Sequence, residues 1–284
     1  MKTIQTRYVL RQGALIAVLL SSLVAGCAAG PRGATESKER QAKALALFAE
    51  RCKTAGEKIH RTVDGVDGIY LLKVRPEDIN YGDQFGLNDP YGDDLGGDAY
   101  IGSFIRGHYA ANHAGVPIQG APRMPLGYLY VDSIDPKDGQ RYRYTGGVRE
   151  VEVTSSILVG GTGKQFKTKA FVLDKSPAVG SAPRYGVTYD DISTHEEREY
   201  WIAGSSLKVI DLQTKEVIGE RVGYMVDVYQ GSQAGGRSPW LFAADHACPS
   251  FVNNPQPVAG PAFASTSYQA ARFVEKVLIP RKGK

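Results

Sequence analysis

Three cysteines in 284 residues exclude a disulfide-dense mini-scaffold and a cysteine-rich zinc module. Charge of one sign is also missing: 34 Lys and Arg stand against 30 Asp and Glu. With no basic stripe to track phosphates, nucleic acid is not an expected partner. No apolar run reaches the ~20 residues that span a bilayer. The longest, Ala14 to Leu20 extended through Ser21, Ser22, Leu23 and Val24, falls short, though a short transmembrane anchor is the alternative reading. No repeat of fixed period is visible, which disfavours a propeller.

Catalytic signatures are equally scarce. Gly-x-Ser-x-Gly does not occur; Ser232 in Gln230-Gly231-Ser232-Gln233-Ala234-Gly235 has a glycine one position too close. The five histidines (60, 108, 113, 195 and 246) are scattered, and Asp245-His246 reads as a packed polar pair. In His195-Glu196-Glu197-Arg198-Glu199 a zinc-protease helix would need a second His where Glu199 stands. On a strand, His195, Glu197 and Glu199 would share one solvated face. Gly160-Gly161-Thr162-Gly163-Lys164 has Leu158 where a phosphate loop needs its first Gly, and Gln165 where it needs Ser or Thr, so it reads as a hairpin turn. No cofactor is called for.

What is present begins with a leader. Lys2, Arg7 and Arg11 make a positive start before the apolar run, the layout of a signal peptide. Leu23-Val24-Ala25-Gly26-Cys27 resembles the lipobox of bacterial lipoproteins. The resemblance implies cleavage before Cys27 and a lipid on that cysteine that anchors the chain to a membrane. Ala28, where an inner-membrane retention signal places Asp, implies the outer membrane, facing the periplasm. Removing residues 1–26 takes three of the 34 basic residues and leaves 31 against 30 acidic. With Cys27 lipidated, Cys52 and Cys248 remain in an oxidising compartment and are expected to form a disulfide; two separate buried thiols are the alternative.

Residues 27–34 are read as a lipidated tether and 35–284 as a single periplasmic domain. A helix is predicted from Thr35 or Ser37, with Leu45, Phe48, Cys52, Ala55 and Ile59 along one face. From Gly65 the period changes to two. Strands are predicted at Ile69–Val74, Gly127–Ile134, Gln140–Gly146, Val148–Val159, Phe166–Leu173, Glu199–Ile202, Leu207–Leu212 and Val217–Tyr229. Ala270, Phe273, Val274, Val277 and Leu278 mark a C-terminal helix stopped by Pro280. The expected class is α+β: a predominantly antiparallel sheet, single or as two packed sheets, flanked by an N-terminal and a C-terminal helix.

Two groups of residues are candidates for binding. Asp89, Asp93, Asp94 and Asp98, near Asp83 in a Gly-rich loop, offer oxygens of the kind calcium takes, without the spacing of an EF-hand; an ordinary long loop is the alternative. Tyr81, Tyr91, Tyr100 and Tyr109 decorate the same region and are expected to contact a protein partner, because Tyr combines contact area with hydrogen bonding. The stretch from Cys52-Lys53-Thr54-Ala55-Gly56-Glu57-Lys58-Ile59 to Val66-Asp67-Gly68-Ile69 resembles the opening of Tli-type immunity lipoproteins. These neutralise antibacterial lipase effectors delivered by type VI secretion. The resemblance implies a non-enzymatic domain that binds its cognate lipase. A structural or assembly lipoprotein of the outer membrane and an unrecognised hydrolase are the alternatives.

Overall fold

The computed structural model describes residues 31–77, 83–92, 94–112, 125–154, 163–251 and 267–282. By its contacts the chain divides into Met1–Ala42 and Lys43–Lys284, and the whole sheet belongs to the second unit. In chain order the elements are α1 (Pro31–Cys52), β1 (Gly56–Ile59), β2 (Val63–Val66), β3 (Gly68–Leu71), α2 (Gly97–Ser103), α3 (His108–Asn112), β4 (Tyr130–Ile134), β5 (Arg141–Thr154) and β6 (Gln165–Pro177). There follow β7 (Tyr185–Asp191), α4 (His195–Glu199), β8 (Ile202–Asp211), β9 (Glu216–Val226), β10 (Ala247–Cys248), α5 (Gln269–Val277) and β11 (Leu278–Pro280).

The class is α+β, as the alternation of periods predicted. Among the described residues nine strands form one sheet in the order β1-β9-β8-β7-β3-β4-β5-β6, with β10 also on β9, and β11 pairs β2 separately. The sheet is mixed. β3 lies parallel to both β4 and β7, while the sheet's other pairings are antiparallel.

Several boundaries differ from the periodic reading. The first helix already includes Pro31, whose fixed φ suits a first helical turn. Within the second unit its buried side is Ala44 with Leu47 and Phe48, which leaves Leu45 on the exposed side; Ile59 lies on exposed β1. The strands predicted either side of Gly147 are one continuous β5, because Gly146 and Gly147 pair with Leu173 and Val172 without interrupting the ladder. Glu199 ends a helix instead of starting a strand. Thr194 accepts from the Glu197 N–H and Glu197 returns a carboxylate to the Thr194 N–H, a capping box that commits five residues to α4. The strand β7 was not anticipated.

Alternate residues of the strands build two layers. Ile69, Leu71, Val131, Tyr144, Val187, Tyr189, Leu207 and Val209 face a core completed by Tyr100, Phe104, Phe273, Val274 and Val277 of α2 and α5 and the turn after α2. The opposite face is covered at the β8–β9 end, where Ile202, Tyr224 and Val226 meet Ala44, Leu47 and Phe48. Toward β4 and β5 that face is polar: Arg143 is bidentate on buried Asp132, at 2.7 and 3.0 Å, and lies over the Tyr130 ring. One open polar face is the usual condition of an antiparallel sheet. Among the described residues no helix is long and apolar enough to cross a membrane.

Candidate functional site

Cys27, Tyr81 and Asp93 lie outside the described residues. Of the other tyrosines chosen from sequence, none presents a contact surface. Tyr91, Tyr100 and Tyr109 are at most 6 % exposed. Tyr91 packs on Phe251 beneath Arg221 and donates its hydroxyl to the Pro249 carbonyl; burial pushes that hydroxyl up to about 12. Tyr100 meets Phe104 edge-on, and Tyr109 meets Tyr268. Tyr91 lies in the loop, Tyr100 on α2 and Tyr109 on α3, and all three pack inward.

Two of the acidic residues, Asp89 and Asp94, are likewise committed internally. Asp94 accepts from the backbone N–H groups of Leu95 (2.8 Å), Tyr268 (2.7 Å) and Ala270 (2.9 Å), and so caps the start of α5 from 174 residues away. Burial raises its pKa, opposed by Arg75. Asp89 accepts from the Ser205 hydroxyl at 2.6 Å and lies 3.9 Å from Arg75. Asp98 sits exposed in the first turn of α2. Among the described residues no three His, Cys, Asp or Glu converge as a metal site. Replacing Asp94 with Ala is expected to destabilise the fold by about 2 kcal/mol, since it uncaps α5 and orphans buried donors. Denaturant unfolding measures this; a calcium-dependent gain in stability of the native chain would instead return the loop to ligand binding.

Cys52 and Cys248 are bonded, with Cα atoms 5.6 Å apart, and tie the end of α1 to β10. That bridge closes one side of a loop platform which composition did not point to. The platform comprises residues 83–87, α4 with Tyr200 and Trp201, and residues 227–246. Its hub is Asp227, which is fully buried. One carboxylate oxygen accepts from the Tyr229 N–H (3.0 Å) and Arg237 (3.1 Å), the other from the N–H groups of Gly231 (3.1 Å) and Trp240 (3.3 Å). The rings of Trp201 and Trp240 meet at 5.0 Å, and Trp240 packs with Leu87, Ala203, Met225 and Ala243.

Backbone strain gathers here. Trp201, Gln230 and Trp240 have φ of 55, 51 and 67°, a region that bulky L-residues avoid. Each such residue costs on the order of 1–3 kcal/mol and persists only where its surroundings over-determine it. At Gly231, φ +72°, the Trp201 ring leaves no space for a side chain.

On this rigid base four large apolar side chains face outward. Phe85, Tyr229, Leu241 and Phe242 are each between 43 and 55 % exposed. Tyr229 and Phe242 are in ring contact, and Arg237 stacks on Tyr229. Phe85 stacks on His195 at 4.7 Å, while Gln84 donates to the Arg198 carbonyl at 2.5 Å. The Arg198 guanidinium lies over Trp240, 5.8 Å from the ring centre, and so joins the two exposed groups through one buried residue. His195 is thus an aromatic neighbour, and Asp245 and His246 are exposed in a short turn and do not pack together as a buried pair. The sequence signal for the platform was the placement of the chain's only two tryptophans on either side of Gly231, Gly235 and Gly236. Comparison with family models, curated proteins and solved structures returns no match.

Proposed function

We propose that this chain is a lipid-anchored, periplasm-facing protein-binding domain of the outer membrane, an immunity protein that neutralises an antibacterial lipase effector of type VI secretion. It acts by occupying its partner and carries out no chemistry of its own. The leader and Cys27 support the anchoring, and the resemblance over Cys52 to Ile69 supports the choice of partner. The observation that carries protein binding is the platform: exposed Phe85, Tyr229, Leu241 and Phe242 on cross-linked, strained loops.

Loops held by a rigid scaffold are where binding residues concentrate, and aromatic and Arg side chains dominate interface energetics. Preordering matters as much as area, because fewer side chains and torsions must be fixed on association. The contact surface is therefore assigned to the platform and moves away from the buried tyrosines.

The test is to mix the purified chain with the lipase encoded beside it and follow complex formation and residual lipase activity. Complex formation with loss of lipase activity is expected. Leu241→Asp and Phe242→Asp should each weaken the complex at least about 30-fold, the loss of one interface anchor of roughly 2 kcal/mol. No complex at micromolar concentration removes the immunity reading. Undiminished binding by both variants removes the platform.

A further inference from the structure

On β9, Gly219, Arg221 and Gly223 alternate on the core-side face of the sheet, where Gly219 and Arg221 pair with the core residues Val209 and Leu207. A Cβ at either glycine would run into a side chain, Val277 of α5 at Gly219 and Tyr91 at Gly223. Arg221 stands between them. Its guanidinium lies 4.9 Å from the centre of the Tyr91 ring and 6.0 Å from that of Phe273. The residue is 3 % exposed.

This guanidinium has aromatic neighbours but no acceptor. Among the described residues neither Nε nor Nη2 has a hydrogen-bond partner, and no carboxylate forms an ion pair with the side chain. Glu57 stands directly across the ladder from Arg221, yet both its oxygens are taken by Lys276, at 2.9 and 2.6 Å. Arginine does not shed its proton inside a protein, so burial cannot neutralise it. An uncompensated charge at this depth opposes folding strongly. The same chain shows what this edge of a guanidinium holds. On Arg143, Nε and Nη2 clamp Asp132 at 2.7 and 3.0 Å, and on Arg184 they clamp Asp211 at 3.0 and 2.7 Å.

We propose that Arg221 binds an oxyanion from solution, a carboxylate or phosphate group, through its Nε–Nη2 fork. Two parallel N–H groups match two oxygens of one such group, whereas chloride offers a single atom. The Tyr91 and Phe273 rings fix the guanidinium and keep water from competing for it. Arg221 and Lys276 against Glu57 leave one positive charge, which a bound monoanion balances. Entry is past the Glu57–Lys276 pair, whose side chains are 33 and 53 % exposed, and exposed pairs of this kind part readily. This inference does not rest on the proposed lipase partner.

The thermal midpoint of the full chain tests it, as sodium acetate or sodium phosphate replaces sodium chloride at fixed ionic strength. The native midpoint should climb and then saturate, by about 5–10 °C once the anion stands ~100-fold above its dissociation constant. Arg221→Met, similar in volume and uncharged, should show no saturable climb. Arg221→Lys keeps the charge and loses the fork, so acetate and phosphate should gain nothing over chloride. A climb with acetate alone assigns the fork to carboxylates, and a climb with phosphate alone assigns it to phosphates. A native midpoint indifferent to both anions, or an equal climb in Arg221→Met, overturns the site. Should Arg221→Met fail to fold, an equal climb in Arg221→Lys overturns it alone.

Discussion

Reduction of the Cys52–Cys248 bridge is expected to lower the thermal midpoint by roughly 4–20 °C. The bond joins residues 196 apart, so it closes nearly the whole second unit into one loop. Chain-entropy reasoning assigns about 5 kcal/mol to a loop of that length, while measured losses of native bridges fall at about 2–5 kcal/mol. In a domain of this size each kcal/mol moves the midpoint by about 2–4 °C. The position of the bridge sharpens the expectation. Cys248 follows directly on the segment that carries Trp240, Leu241 and Phe242, and Cys52 ends the helix whose Phe48 packs over the sheet. Cutting the bond therefore loosens one boundary of the platform and one edge of a core cluster together. Calorimetry of the native and reduced protein, or of Cys52→Ser with Cys248→Ser, measures the shift. A midpoint that does not move would mean that packing alone holds α1 against the sheet, and the constraint assigned to the bond would be wrong.

The bridge was legible in the sequence because two cysteines were left in a chain whose leader implied an oxidising compartment. The terminal helix at Gln269–Val277 and the long strands β5, β6, β8 and β9 were legible for a different reason: their period is local and their burial is one-sided. What could not be read depends on partners distant in sequence. β3 lies between β4 and β7, parallel to both, and four apolar-rich residues carry no mark of that choice. Tyr91, Tyr100 and Tyr109 look alike in composition whether a loop stands in water or folds over a core. Asp94 resembles a ligand for calcium until Tyr268 and Ala270 present their N–H groups to it. The helix α4 is an exception, since Thr194 and Glu197 spell a capping box at the correct spacing, a local signal that outweighs the alternation of His195, Glu197 and Glu199.

Replacing Asp227 with Ala is expected to abolish binding of the proposed partner while leaving the sheet folded. Asp227 sits just past the end of β9, where its own N–H donates to the Trp201 carbonyl at 2.9 Å. Its carboxylate then collects three backbone donors, from Tyr229, Gly231 and Trp240, together with Arg237. Water does not reach these groups freely, since Asp227 and Trp240 are buried and the Arg237 side chain is 10 % exposed. Alanine leaves the donors without an acceptor and the guanidinium without its counter-charge. Orphaned buried donors cost about 1–3 kcal/mol each, and breaking a buried ion pair about 3–5 kcal/mol, so the strained geometry of Gln230 and Trp240 loses the acceptor at its centre. The loop can escape that cost by opening locally, because the ladders of β8 and β9 with β1 and β7 do not pass through it. The result should be fast amide exchange across residues 227–246, near-native exchange in β7, β8 and β9, and loss of binding to the proposed lipase partner. Asp227→Asn retains one acceptor oxygen and should fall between the two. Hydrogen exchange by mass spectrometry, read beside binding, separates the cases. Native-like exchange in 227–246 with intact binding would show that the platform is held by its tryptophans instead of this carboxylate.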